Sequence, residues 1–128
     1  MQTELTPARY VKLDNRPGAL DHLTRVLRDR KINIDSMSLE SVGSTGFARI
    51  LTSKNREAID ALRQGRLDVH DTQLLLMRIE NRPGELNRLT SELAAAGINI
   101  EAVLTTIDGR VALRTNDNET ASRILGKL

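Results

Sequence analysis

A segment of 24 residues occurs twice in this chain without a gap, and this repeat constrains the fold more than any other feature. DNRPGALDHLTRVLRDRKINIDSM (residues 14–37) aligns with ENRPGELNRLTSELAAAGINIEAV (residues 80–103) at an offset of 66, and 11 of the 24 positions are identical. The identities include the whole NRPG turn and the INI segment. Because chance does not produce such a match, we interpret the 128 residues as two copies of one structural unit.

The hydrophobic periodicity predicts the order of elements within one unit. ARYVKLD alternates as a strand, and after NRPG the leucines at 20, 23 and 27 recur at helical spacing. KINIDSMSLES and FARILTS are predicted strands around a glycine-rich turn, NREAIDALRQG is a predicted helix ending at Gly65, and RLDVHDTQ a fourth strand. Pro17 is predicted at the first helical position. This order is that of a ferredoxin-like unit.

The second copy repeats this order over a shorter range. GRVALRT matches GFARILT after the hairpin turn is shortened by three residues, and NETASRILGK matches the second helix. Nothing after it matches RLDVHDTQ. We therefore predict an α+β fold of two ferredoxin-like βαββαβ units side by side, residues 1–71 and 72–128, with the second unit lacking its last strand.

Composition limits the classes of function. The chain is 39% hydrophobic and 28% charged, has no cysteine, and carries a net charge of +2, too small to indicate a nucleic-acid partner. No apolar run approaches the roughly 18 residues of a membrane span, and MQTELTPAR lacks a signal region, so a cytoplasmic location is expected. His22 and His70 lie at unmatched places in the repeat, and no nucleophile–base pair is recognisable. We expect no enzyme activity, no metal site and no cofactor.

At NRPG and INI the sequence resembles a known family. A strand, then N-x-P-G-x-L, a leucine-spaced helix and G-x-N-I is similar to the ACT domain, a small-molecule regulatory module of amino-acid metabolism, and the resemblance covers nearly the whole chain. The first unit departs from it at Lys31, where the second has Gly97. The resemblance implies a non-catalytic sensor that binds a free amino acid between two units and acts on a regulated enzyme or on its own assembly.

The resemblance also implies which positions would contact the ligand. They are the turn asparagines with the neighbouring backbone amides, and the strand asparagines: Asn15, Gly18, Ala19, Asn33, Asn81, Gly84, Glu85 and Asn99. A turn that opens a helix leaves N–H groups without partners, which suits a carboxylate. We expect Asn15 to share one pocket with Asn99, and Asn81 to share the other with Asn33. The pocket beside Ala19 is expected to be the stronger, because Glu85 would disfavour an acidic ligand.

Other interpretations of these residues stay open. Asn15 and Asn81 fit equally well as turn or helix-cap residues. RNA-recognition motifs share this element order, and Tyr10 and Phe47 occupy places where bases stack, but Leu76 and Arg110 replace them in the second unit. A purely structural oligomerisation module is a third possibility.

Two features of the predicted fold indicate a homodimer or larger homo-oligomer. The missing last strand would leave a sheet edge of the second unit open. Alternation also places Tyr10, Phe47 and Leu51 together on the face of the first unit away from its helices, where an exposed apolar patch would mark an interface.

Overall fold

The computed structural model describes residues 1–128 as six strands and four helices. They are β1 Thr3–Asp14, α1 Ala19–Asp29, β2 Ile34–Val42, β3 Thr45–Thr52, α2 Asn55–Gln64, β4 Asp68–Arg78, α3 Glu85–Ala95, β5 Ile100–Thr105, β6 Arg110–Thr115 and α4 Asn118–Leu125. No helix has the length and apolar character needed to cross a membrane.

The chain divides into two compact units. Pro7–Thr72 forms one, here called the N-terminal unit, and Met1–Thr6 with Gln73–Leu128 forms the other, the C-terminal unit. The long strands β1 and β4 each contribute residues to both units. The first six residues, which the repeat assigns to the first copy, therefore pack with the C-terminal unit.

The N-terminal unit has the predicted ferredoxin-like order. Strand β3 pairs antiparallel with both β1 and β2, and α1 contacts α2. Leu23 and Leu27 of α1 and Leu62 of α2 are fully buried against Val11 and Ile50 of the sheet. The core is aliphatic because the whole chain has only one Tyr, one Phe and no Trp.

The C-terminal unit repeats this arrangement. Strand β6 pairs antiparallel with β4 and β5, and α3 contacts α4. Leu89 and Leu93 of α3, which are the repeat equivalents of Leu23 and Leu27, are fully buried with Leu113 of β6 and Leu125 of α4. The prediction of two ferredoxin-like units is confirmed.

The place of the missing last strand is taken by the chain's own first residues. No strand follows α4, as predicted. Residues 3–6 of β1 lie in this unit, and β1 is the strand next to β4. The hydroxyl groups of Thr3 and Ser122 share a hydrogen bond of 2.7 Å, and Met1 packs against the core. The first reason for predicting an oligomer is therefore wrong, because this edge is not open.

The second reason for predicting an oligomer is also wrong, because the patch of Tyr10, Phe47 and Leu51 is not exposed: Leu51 is buried, and Tyr10 and Phe47 are half-buried. Leu51 is 4% exposed, and Tyr10 is half-buried with its ring stacked on that of His70 at a centroid distance of 4.8 Å. Alternation identifies the face on which a residue lies but not whether that face is covered. The exposed apolar residues of this unit lie instead on β2, at Met37, Leu39 and Val42.

The NRPG segment forms a turn that ends just before the helix. Helix α1 begins at Ala19, and the Ala19 N–H donates to the carbonyl of Arg16 at 3.3 Å. Gly18 has φ +90°, so Pro17 and Gly18 are the two central residues of a type II turn, which requires positive φ at its second central position. The prediction of Pro17 as the first helical residue is therefore wrong. Gly84 repeats this geometry with φ +89°.

The C-terminal ends of the helices agree with the predictions from the sequence. Lys31 and Gly97 both have positive φ, 57° and 74°, so the position needs the left-handed conformation in both units, as the family pattern implies. Gly65 is the residue that ends α2, as predicted.

Candidate functional site

In the N-terminal unit the NRPG turn is tied to the β2–β3 hairpin. The backbone N–H of Asn15 donates to the carbonyl of Ser44 at 2.9 Å, and its side-chain Nδ2 donates to the carbonyl of Gly43 at 2.9 Å. Gly18 is the cap residue of α1, and no side chain caps that helix. Asn15 is therefore not a helix cap, and one of the two N–H groups of its side-chain amide is already bonded within the protein.

In the C-terminal unit the hairpin makes no hydrogen bond to the equivalent turn, because this hairpin is three residues shorter. The pairing of β4 with β6 ends at Arg78 and Arg110, whereas in the N-terminal unit the pairing of β1 with β3 continues for two more residues, to Asp14 and Thr45. Asn81, the equivalent of Asn15, has no hydrogen-bond partner in the chain. The difference lies in the hairpin and not in the turn, whose four residues are identical.

A pocket of about 450 Å³ lies between this second turn and the β5–β6 hairpin. It is lined by Ile79, Glu80, Asn81, Arg82, Leu86, Thr105, Thr106, Ile107, Gly109, Arg110 and Val111. One side is polar and carries both signs of charge, and the other is aliphatic. This combination is typical of small-molecule sites, in which few polar groups orient a ligand and apolar groups bury it.

The charges at the second turn are largely paired with one another. Arg82 contacts Glu80 at 2.8 Å through Nη1 and Glu85 at 3.0 Å through Nε, and Glu85 also lies 3.9 Å from Arg88. Glu85, which was expected to repel acidic ligands, is thus neutralised by two arginines. Its position in the first turn of α3 is also favourable to a carboxylate.

The tip of the β5–β6 hairpin is held in shape by Asp108. Its carboxylate accepts hydrogen bonds from the Thr106 hydroxyl and from Nε of Arg110, the latter at 2.9 Å. Arg78 adds a hydrogen bond of 2.8 Å from Nη1 to the Asp108 carbonyl. The Thr106 hydroxyl bond and then Arg110 lower the pKa of Asp108 from 3.8 to about 2. This network fixes one wall of the pocket.

The lowered pKa of Asp108 predicts how stability depends on pH. Because the folded protein binds the proton more weakly than the unfolded chain, the carboxylate stabilises the fold fully above pH 3.8 and loses this effect as the pH falls towards 2. Wild type should therefore be more stable than Asp108→Asn by a constant difference from pH 7 to about pH 4, and the difference should shrink below it. Urea unfolding at stepped pH measures this, and a difference that does not shrink would contradict the assignment.

Asn33 and Asn99, which were predicted within strands, each lie one residue before the strand, β2 or β5, and away from the turns of their own units. Asn33 donates from Nδ2 to Asp35 at 3.0 Å, and the Asn99 backbone N–H donates to Oδ1 of Asn116 at 3.0 Å. In each unit an 11-residue helix, about 16 Å long, runs between the turn and this asparagine. The structure therefore does not bring the two asparagines of one unit together, and the pairing of Asn15 with Asn99 and of Asn81 with Asn33 stays a prediction.

The repeated turn–helix–strand unit corresponds to a known family. The model of the ACT domain matches residues 10–64 and again residues 73–125. The chain belongs to the ACT domain family. The two matches fall on the N-terminal unit and on residues 73–128 of the C-terminal unit, so the resemblance is confirmed for both ACT units.

Solved structures share the fold of these tandem ACT units. Protein BT0572 from Bacteroides thetaiotaomicron is 23% identical, with 98% of this chain and 89% of that chain covered and a TM-score of 0.91. The ligand-free regulatory subunit of aspartate kinase from Thermus thermophilus is 18% identical, with 99% and 96% covered and a TM-score of 0.65. The corresponding subunit from Thermus flavus is 17% identical, with the same coverage and a TM-score of 0.63. A search of curated proteins found no match.

The hairpin residues Thr106, Ile107, Asp108 and Arg110 are absent from the sequence-predicted site. The three-residue shortening that exposes them to the second turn is visible in the repeat alignment. The sequence does not show that this shortening leaves the second turn without hydrogen-bond partners, because that depends on which backbone groups of the hairpin reach the turn. In a tandem ACT chain, a difference in hairpin length between the repeats therefore indicates which turn lacks hydrogen bonds from the hairpin.

Proposed function

We propose that this chain is a non-catalytic regulatory module that binds a free amino acid, or a similarly small zwitterion, at the NRPG turn of the C-terminal unit. The observation that carries the proposal is the pocket beside Asn81, whose side-chain amide has no partner within the protein. An unpaired amide in a pocket can both donate to a carboxylate and accept from an ammonium group.

The surrounding groups suit the two charged ends of an amino acid. The backbone N–H groups of Leu86 and Asn87, in the first turn of α3, have no acceptor in the chain, and the helix dipole favours an anion there. Glu80 lines the same pocket. One of its carboxylate oxygens contacts Arg82 at 2.8 Å, and the other can accept from the ammonium group of an amino acid. Donors and an acceptor thus lie at or next to the polar side of the same pocket.

Family membership supports the regulatory part of the proposal. ACT domains are small-ligand regulatory modules, and two of the similar structures are regulatory subunits of aspartate kinase. By the same logic, ligand binding here would shift the population of one conformation and so act on a separate enzyme or on a homodimer. The exposed Met37 and Leu39 on the edge strand β2 support a homodimer as the assembled form.

We prefer the second turn to the first as the binding site. The sequence analysis favours the pocket beside Ala19, but Asn15 there already donates its side-chain amide to Gly43. The RNA-binding alternative receives little support, because one face of the Tyr10 ring is stacked on His70 and is not available to a base.

Calorimetric titration of the chain with each of the twenty amino acids tests the proposal. We expect at least one to bind with one molecule per chain and to raise the unfolding temperature. At a ligand concentration of 100 times Kd, the stabilisation should be about 2.7 kcal/mol. A short single-stranded RNA serves as the comparison ligand. Binding of RNA without binding of any amino acid would overturn the proposal, and two amino-acid molecules per chain would overturn the choice of a single turn.

A further inference from the structure

We infer that the ligand of the Asn81 pocket has an uncharged aliphatic side chain, and that the tip of the β5–β6 hairpin is the element that selects it. This inference rests on the proposed function and specifies its ligand class. It is carried by two aliphatic side chains of the pocket, Leu86 and Ile107, that are exposed and do not pack in the core.

Leu86 provides the first observation, by comparison with its repeat equivalent. Leu20 in the N-terminal unit is half-buried and packs against the core of that unit. Leu86, at the same place on α3, is 44% exposed and lines the pocket. The same residue type in the same helix position thus packs inward in one unit and faces the ligand pocket in the other.

Ile107 provides the second observation. It lies at the tip of the β5–β6 hairpin, is 87% exposed, and lines the same pocket as Leu86. Ile79 and Val111 also line the pocket, but both pack with the core of the unit, and Val111 is only 4% exposed. Single exposed apolar residues are common on proteins, but a group of them around one pocket marks a binding surface. An aliphatic ligand side chain would remove this surface from water.

The charges around the pocket argue against a charged side chain. Arg82 is already paired with Glu80 and Glu85, and Arg110 is paired with Asp108. A charged ligand side chain placed beside Leu86 and Ile107 would lose hydration without gaining an unpaired partner. The polar turn can therefore hold the common amino and carboxyl groups, while the aliphatic side discriminates between side chains.

The hairpin tip is held rigidly, as expected of the side of a pocket that discriminates between ligand side chains. Thr106 is 8% exposed, and its hydroxyl accepts from the Arg110 N–H at 2.8 Å while donating to Asp108. Gly109 has φ +86°, a conformation that side-chain-bearing residues rarely adopt. Ile107 is thus presented on a turn whose backbone and side chains are fixed by neighbouring hydrogen bonds.

Titrations of wild type with valine, leucine, isoleucine, glycine, aspartate and lysine test the ligand class. The best aliphatic amino acid should bind about tenfold or more tightly than glycine, because each methylene in an apolar pocket contributes roughly 10- to 200-fold in affinity. Aspartate and lysine should bind no more tightly than glycine.

The variant Ile107→Ser tests the role of the hairpin tip. It should weaken binding of the best aliphatic ligand about tenfold and leave glycine binding unchanged. The matched control is Val42→Ser, at the exposed end of β2 in the other hairpin, where the side chain is 68% exposed. Because both positions are exposed, both variants should fold, and circular dichroism and the unfolding temperature check this.

The outcomes separate this inference from the proposed function. If no amino acid binds wild type, the proposed function fails and the inference fails with it. If an amino acid binds but charged ones bind as tightly as aliphatic ones, the inference alone is wrong. The same holds if Ile107→Ser and Val42→Ser have equal effects on aliphatic binding.

Discussion

Replacing Leu93 by alanine should lower the free energy of unfolding by about 2–5 kcal/mol, the usual range for a leucine removed from a closed core. Leu93 is fully buried on α3, between the sheet and α4. The core has few aromatic side chains that could shift to fill the space, so the cavity should remain largely open. Urea unfolding followed by circular dichroism measures the loss.

Two matched variants make this prediction specific. Leu27→Ala, at the equivalent place in the N-terminal unit, should cost a similar amount, because Leu27 is also fully buried. Leu86→Ala on the same helix as Leu93 should cost much less, because that side chain is 44% exposed. Equal losses for Leu86→Ala and Leu93→Ala would show that α3 does not pack as described.

The fold could be predicted from the sequence because its main determinants are local and occur twice. Leu23 and Leu27 recur at helical spacing after a turn, and Leu89 and Leu93 repeat them. Each leucine stripe requires a sheet to cover it, and the flanking strands alternate with one apolar face. Two independent copies of the same pattern agree, which is why the ferredoxin-like order is confirmed in both units.

The arrangement of β1 shows where local patterns are insufficient. The alternation of apolar residues predicts a strand from residue 8 onwards, whereas β1 begins at Thr3. Nothing in the first six residues indicates that they complete the C-terminal unit, because their partners, such as Ser122, lie more than 100 residues away. For the same reason the sequence could not show that the supposedly open edge is covered.

The start of α1 shows a second limit, which is local. Pro17 fits both the first position of a helix and the first central position of a type II turn. The deciding feature is the positive φ of Gly18, which the sequence permits but does not require. A glycine directly after proline favours the turn, and both NRPG segments adopt it.

The sequence indicates that the candidate site lies at an NRPG turn, but it does not show which of the two turns binds the ligand. The turns are identical in sequence, so the motif alone gives equal weight to Asn15 and Asn81. What separates them is a carbonyl group, that of Gly43, supplied by a hairpin in one unit and absent from the other. Backbone acceptors have no sequence signature, and only the length of the hairpin indicates the difference.

Replacing the turn asparagines by alanine should therefore have opposite effects in the two units: Asn81→Ala should affect ligand binding and not stability, and Asn15→Ala should affect stability and not ligand binding. Asn81→Ala should weaken ligand binding by about 1–3 kcal/mol, roughly 5- to 150-fold, because the ligand loses its partner in the pocket. It should change the free energy of unfolding by less than about 0.5 kcal/mol, since Asn81 is exposed and has no partner in the chain.

Asn15→Ala should lower the free energy of unfolding by about 0.5–1.5 kcal/mol, because the side-chain bond to Gly43 is lost. Its ligand affinity should equal that of wild type. Calorimetric titration and urea unfolding on the same preparations measure both quantities. If Asn15→Ala weakens binding as much as Asn81→Ala does, the hairpin does not exclude the first turn from binding. Ligand binding would then depend on both turns, although only Asn15 has a hydrogen-bond partner within the chain.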